Sequence, residues 1–214
     1  IIHVALSEVL VDQNELERAE RHLAQGLELG QWSGRLDAIK NAAYTLSHLR
    51  QARHDMDGAL SAVREAESAL ADPPSPLAKA ELLALEAGIL IRQARLSEAV
   101  RCAEAAVEIA GWDRGLTGAM VDLAVCRVAA ARFEPDEAVA RLTQSLTAAE
   151  ARGRLGAVLE LCILRSLALL RQGKRREAQA DLERALALAR PEGYVRVFLD
   201  EGEPMARLLR QALS

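Results

Sequence analysis

Residues 14–30 read Asn14-Glu15-Leu16-Glu17-Arg18-Ala19-Glu20-Arg21-His22-Leu23-Ala24-Gln25-Gly26-Leu27-Glu28-Leu29-Gly30, and their pattern returns along the chain. Ala19 is followed four positions later by Leu23 and seven later by Gly26. The same series runs Ala59, Val63, Ala66, then Ala99, Ala103, Ala106, then Ala138, Leu142, Ser145, and finally Ala178, Leu182, Ala185. Successive anchors stand 40, 40, 39 and 40 residues apart. Offsets of four and seven fall on one stripe of a helix, so each copy predicts a helix with a narrow, small-residue packing face.

A second column stands twelve residues before each anchor: Ser7, Ser47, Ala87, Cys126 and Ser166. All five are small, and they belong to the preceding helix. Two small faces at a fixed offset let paired antiparallel helices approach closely, while Leu46, Val125, Leu23 and Leu182 close the space on either side. Each period is therefore read as a helical hairpin.

Chain breaks fall where such hairpins must turn. Phe133-Glu134-Pro135-Asp136 interrupts the fourth copy, and Asp72-Pro73-Pro74-Ser75-Pro76 separates the second from the third, with Ser75 read as an N-cap and Pro76 at the first helical position. Gly30, Gly111 and Gly153 mark the other junctions. Helices are predicted near 1–11, 15–29, 35–53, 56–71, 76–94, 97–110, 115–132, 136–152, 155–172 and 175–190. A lone hairpin cannot bury its apolar face, so neighbours must stack. The expected fold is all-α: a right-handed α-α superhelix of about five tetratricopeptide-like hairpins over 1–190, with a period of about 40 instead of 34. The usual aromatics of that repeat are mostly missing.

Residues 191–214 form a C-terminal capping segment in this reading. Asp200 with Glu203 resembles a capping box, and Pro204 sits in the first turn of a terminal helix. Tyr194, Val197, Phe198 and Leu199 supply an apolar face to close the last hairpin. At the other end the chain starts without Met, and Ile1, Ile2 and Val4 present apolar residues outward. A repeat array ordinarily ends in a polar cap, so the expectation is a fragment of a longer protein.

Composition agrees with helices. Of 214 residues, 41 are Ala and 35 Leu, against 13 Val and 7 Ile, and aromatics make up 3%. Such a mixture favours helix over strand. No apolar run approaches the ~18 residues of a membrane span, and no leader pattern opens the chain, so a cytoplasmic location is expected. The 27 basic residues face 31 acidic ones, for a net charge of −4, which argues against a duplex-binding surface. Cys102, Cys126 and Cys162 are an odd number spaced 24 and 36 apart. That fits neither a disulfide framework nor a zinc site, and free buried thiols are expected.

Glu192 through Leu209, EGYVRVFLDEGEPMARLL, is the most specific string in the chain. It resembles the end of the helical-repeat region in MalT-like, LuxR-family transcription regulators, ahead of their DNA-reading domain. The ~40-residue hairpins and the Asn14–Leu23 phrase resemble repeats of the same group. This resemblance implies a regulator with an amino-terminal ATPase, a central superhelix that senses an inducer or protein, and a carboxy-terminal helix-turn-helix. The 214 residues contain no GxxxxGK[ST] phosphate loop and nothing after Ser214 to form a recognition helix. The expectation is a sensing and interaction module without enzymatic activity or its own cofactor, ATP belonging to an upstream domain and DNA to a downstream one. A peptide- or protein-binding tetratricopeptide scaffold unrelated to transcription is the alternative.

No catalytic spacing competes with that reading. His3, His22, His48 and His54 form no HExxH pair, and no G-x-S-x-G elbow occurs. Gly111-Trp112-Asp113-Arg114-Gly115 reads as an inter-unit turn, and Trp32 and Trp112, each thirteen past an anchor, as plugs between hairpins. The basic run Arg171-Gln172-Gly173-Lys174-Arg175-Arg176 reads as a solvated loop inside the last hairpin. First helices of such hairpins line the concave surface, where the register places Glu8, Asn41, Tyr44, His48, Glu81, Arg92, Arg127, Glu160 and Arg171. Tyr44 and His48, four apart, give an aromatic surface beside a hydrogen-bonding ring, and Arg92 and Arg127 add charge-assisted donors. These four are the candidate groove residues for a small inducer or regulatory protein.

Overall fold

The computed structural model describes residues 2–30, 36–70, 75–111, 116–132 and 135–212. Among them the chain is all-α: α1 (Ile2–Asp12), α2 (Leu16–Gly30), α3 (Leu36–Ala52), α4 (Met56–Ala69), α5 (Pro76–Arg92), α6 (Leu96–Ala110), α7 (Leu116–Ala131), α8 (Pro135–Ala151), α9 (Leu155–Arg171), α10 (Arg175–Ala189), and the terminal α11 (Arg196–Leu199) and α12 (Gly202–Ala212). The ten helices expected from the period are present within a residue or two of their predicted ends. Two compact units result, Ile1–Val121 and Asp122–Ser214.

In the first unit α1 pairs with α2, α3 with α4, and α5 with α6, and the first helices α1, α3 and α5 lie side by side. In the second, α8, α9 and α10 pack in succession, and α12 closes against α9 and α10. The close approach within each hairpin is at the two small columns. Ala19, Ala59, Ala99, Ala138 and Ala178, with Ser7, Ser47, Ala87, Cys126 and Ser166, are all at most 2% exposed. Ser7 Oγ donates to the Ala19 carbonyl across the first seam at 2.6 Å, a reach that only a helix pair in near contact permits. Leu23, Val63, Leu142 and Leu182 fill the flanks and are buried as well.

Tightness is also built into the turns. At Asn14, His54, Ala94 and Gly173, each five residues before its anchor, the backbone is left-handed, with φ of 61°, 64°, 59° and 76°. Each of these N–H groups donates to the carbonyl three residues back, and the following N–H donates to the carbonyl five back: Glu15 to Leu10, Asp55 to Arg50, Arg95 to Leu90, Lys174 to Leu169. This double bond caps the first helix. The next residue already starts the second: Asp55 is the N-cap of α4 and accepts the Gly58 N–H at 2.9 Å. One left-handed residue thus reverses the chain, and the seam begins immediately. Asn tolerates that conformation and Gly adopts it freely, whereas Ala94 does so at a steric cost.

Where the seam column carries Leu46 and Val125, α5 carries Glu86 and α9 carries Arg165. Both are matched. Arg64 of α4 donates to Glu86 at 2.8 Å, and Arg165 makes a two-bond pair with the buried Asp181 of α10, both bonds 2.7 Å. A charge at this depth persists only with its partner.

The structure confirms Ser75 as N-cap of α5 with Pro76 in its first turn, and Pro204 in the first turn of α12. Asp200 and Glu203, read as a capping box, flank the start of α12. Asp200 caps the C-terminus of α11 and its carboxylate pairs with Arg196, while Glu203 pairs with Arg210 at 2.9 Å. Trp32, Trp112, the Gly-rich stretch 112–115 and Phe133-Glu134 lie outside the described residues. Phe198, Met205 and Leu208 are buried and close the last hairpin, as a cap should.

Two stability measurements follow from the seam and the turns. Ala99→Trp forces an indole into a site with no exposure, and an overpacking penalty of at least about 1–3 kcal/mol is expected as a lowered melting temperature. Ala94→Gly relieves the left-handed turn and is expected to raise stability by about 0.5–1 kcal/mol, while Gly173→Ala lowers it by about 1 kcal/mol. Chemical denaturation with circular dichroism reads all three.

Candidate partner-binding face

Helix periodicity sends one side of α3 and α5 away from the seam, and polar residues three and four apart line it. In the first unit this face is tied at two levels. Lys40 Nζ lies 2.5 Å from Glu81 Oε2 at one end, and Arg92 Nη1 donates to Gln51 Oε1 at 3.0 Å at the other. Between those cross-links, Tyr44 and His48 stack with ring centroids 4.4 Å apart and a 34° tilt, both half-buried. The register position of His48 is taken on α5 by Gly88. A Cβ built there meets nothing within 4 Å, so the face has an open notch at that point.

The notch and the stacked rings offer a π surface with hydrogen-bonding groups, braced by cross-links whose acceptors, Glu81 and Gln51, are buried. Such a surface suits a ligand or peptide of mixed character. Asn41 is exposed on the same helix. Glu8 on α1 retains solvent access, and the partial burial around its carboxyl pushes it above the ordinary carboxylate value. Of the four candidate groove residues, Tyr44 and His48 are in contact and Arg92 belongs to the same unit. Lys40, Gln51 and Gly88 were not among the sequence candidates. Sliding the 40-residue register from His48 to Gly88 would have revealed the missing side chain.

Arg127 belongs to the second unit. Its Nη1 donates to Glu201 at 2.7 Å and its Nη2 to Glu160 at 3.0 Å. Burial opposes its charge, but Glu201 and Glu160 outweigh that effect and hold the guanidinium above its ordinary value. Arg171 donates to the Ala130 carbonyl at 2.6 Å, and Gln172 Nε2 to Asp136 at 2.7 Å. Lys174, Arg175 and Arg176 are exposed, but Lys174 is the N-cap of α10 and the two arginines lie in its first turn instead of in a loop.

His3 and His22 meet across α1 and α2, Nδ1 to Nδ1 3.0 Å, with stacked rings 5.3 Å apart. Sequence spacing gave no sign of this pairing, which depends on hairpin register. Among the described residues no group of three or more His, Cys, Asp or Glu side chains comes together as a metal site, and no helix is long and apolar enough to cross a membrane.

A family model described as the MalT-like TPR region matches residues 1–214. None of the curated proteins matches the chain. Among solved structures, a Rap protein complexed with competence and sporulation factor superposes with a TM-score of 0.67 at 13% identity, covering 91% of this chain and 58% of that one. The apo form of RapI gives 0.53 at 13%, covering 96% and 61%. The nearly identical TPR-like repeats of a putative kinesin light chain from Podosopora anserina give 0.52 at 18%, covering 88% and 94%. The chain thus spans about three fifths of each Rap protein. At these identities the likeness shows the fold: tandem tetratricopeptide-like hairpins.

The cysteines behave as packing residues. Cys126 and Cys162 are buried and Cys102 half-buried; Cys126 Sγ donates to Ser145 Oγ at 3.4 Å. Burial pushes the Cys102 and Cys162 thiols up to about 11 and raises Cys126. A thiol so shifted stays protonated and poorly nucleophilic at neutral pH. With iodoacetamide at pH 7.5, Cys126 and Cys162 are expected to remain unmodified in the folded protein and to react after denaturation. Mass spectrometry reads the outcome, and rapid labelling of the folded protein at either position would contradict it.

Proposed function

The chain belongs to the MalT-like TPR family, and on that premise we propose that it is the sensing and partner-binding repeat module of a MalT-like, LuxR-type transcription regulator. The observation that carries this reading is the family match over all 214 residues. The Tyr44–His48 face with its Gly88 notch supplies a place for an inducer or regulatory protein to bind. In this reading the module works in the cytoplasm and catalyses nothing, while ATP and DNA are handled by other parts of the regulator. Ligand binding acts by differential affinity for two arrangements of the whole protein, since a ligand that binds both equally shifts neither.

A second reading is a scaffold that holds a peptide or protein segment outside gene control. The Rap structure, solved with competence and sporulation factor, favours it, because the shared fold there is complexed with a partner. The two readings share the face and differ in the consequence of filling it.

Transcription from the parent regulator's target promoter separates them. Tyr44→Ala with His48→Ala, and independently Gly88→Phe to fill the notch, are expected to reduce the induction ratio about tenfold, equivalent to about 1.4 kcal/mol of lost binding. The helical circular dichroism should stay intact. Unaltered induction in both variants would remove this face from the sensing role, and a parent protein that controls no promoter would leave the scaffold reading.

A further inference from the structure

Glu201 lies outside every hairpin, immediately before Gly202, where the chain turns from α11 into α12 with φ +65°. Its carboxylate nevertheless reaches back 74 positions in sequence to Arg127 on α7. Arg127 already has a partner from within the repeats, Glu160 on α9. One carboxylate suffices to neutralise one guanidinium, so the second is surplus to the charge balance. The terminal segment does not depend on this contact for docking either, because Phe198, Met205 and Leu208 are buried against the last hairpin. Arg171 of α9, by contrast, is exposed and donates to the Ala130 carbonyl of α7, apart from the Arg127 ion pairs.

We propose that Arg127 is a carboxylate-recognition site for an acidic peptide segment, and that Glu201 occupies it as an internal stand-in. What now sits on Arg127 is a glutamate carried on a peptide backbone at a chain corner, so the site accommodates a backbone behind the carboxylate. Exchange of Glu201 for a peptide glutamate keeps the number of ion pairs constant. Glu160 stays in place throughout, so the guanidinium is never left buried and unpaired, which is the costly state. Because Glu201 is tethered, it competes at high effective concentration and weakens the apparent affinity for any external carboxylate. Gly202, whose Cβ would meet nothing within 4 Å, gives the corner room and backbone freedom to swing when Glu201 is displaced. Peptide capture is thereby coupled to the direction in which the chain leaves the last repeat. This site lies in the second unit and does not depend on the regulator reading.

Fluorescein-labelled hexaglutamate, titrated into the full chain at low salt by anisotropy, tests the proposal. Glu201→Gln removes the internal competitor and is expected to tighten binding about tenfold, the size of one charge-assisted hydrogen bond. The gain should vanish in Arg127→Gln/Glu201→Gln, and hexaglutamine should bind neither protein. In the unmodified chain, hexaglutamate should also speed amide exchange at Leu199–Gly202. The proposal is overturned if Glu201→Gln binds no tighter than the parent, or if the gain survives removal of Arg127. Should the double variant fail to fold, exchange in the unmodified chain decides alone: acceleration at Leu199–Gly202 supports displacement, and unchanged exchange overturns it.

Discussion

Two helices come within contact distance only where neither side places a large side chain between their backbones. In this chain that condition is met five times by an alanine facing a serine, alanine or cysteine. Four of these seams are flanked by leucine or valine and the third by Ala103, so each pair gains dispersion contact along its length. The one-residue left-handed turn sets the second helix running back at once and holds the seam in register. Without close approach at the seams, the apolar residues of each hairpin would face water and stacking would have no surface to build on.

Once the seams are fixed, the opposite side of each first helix is free to carry chemistry. Polar side chains there are arranged as cross-links between neighbours: Lys40 with Glu81, Gln51 with Arg92, Arg127 with Glu160. The first two pairs are each 41 positions apart, so the repeat period itself brings them together. These links hold the spacing of adjacent first helices, with Glu81 and Gln51 themselves buried, and the stacked rings of Tyr44 and His48 lie among them. Sensing or binding surfaces on repeat proteins are extended faces of this kind, built from side chains that the core does not need.

How much was legible follows from the range of each interaction. Helix positions and seams could be read because they rest on offsets of four, seven, twelve and forty within a regular period. Tyr44 against His48 was legible for the same reason, since residues four apart meet on one helix face. The partners of Arg92 and Arg127 were not, because Gln51 and Glu201 arrive from other elements and nothing local marks them. His3 with His22, nineteen apart, needed the exact depth of one hairpin. Asp200 and Glu203 carried the spacing of a capping box, and the pairing of their carboxylates with Arg196 and Arg210 came only with the structure. The gap at Gly88 could be found only by asking what the register leaves out.

If interchangeable seams determine the fold, a whole period can be removed while a partial one cannot. Deleting residues 59–98 joins Gly58 to Ala99 and sets the α3 face bearing Ser47 against the α6 anchor in unchanged register. Deleting residues 59–96 shifts that register by two positions and turns the alanine stripe away from Ser47. Thermal melts followed by circular dichroism are predicted to show a cooperative helical protein for the first deletion and loss of cooperative unfolding for the second. Indistinguishable melts for the two deletions would contradict the claim that the seams hold this molecule together.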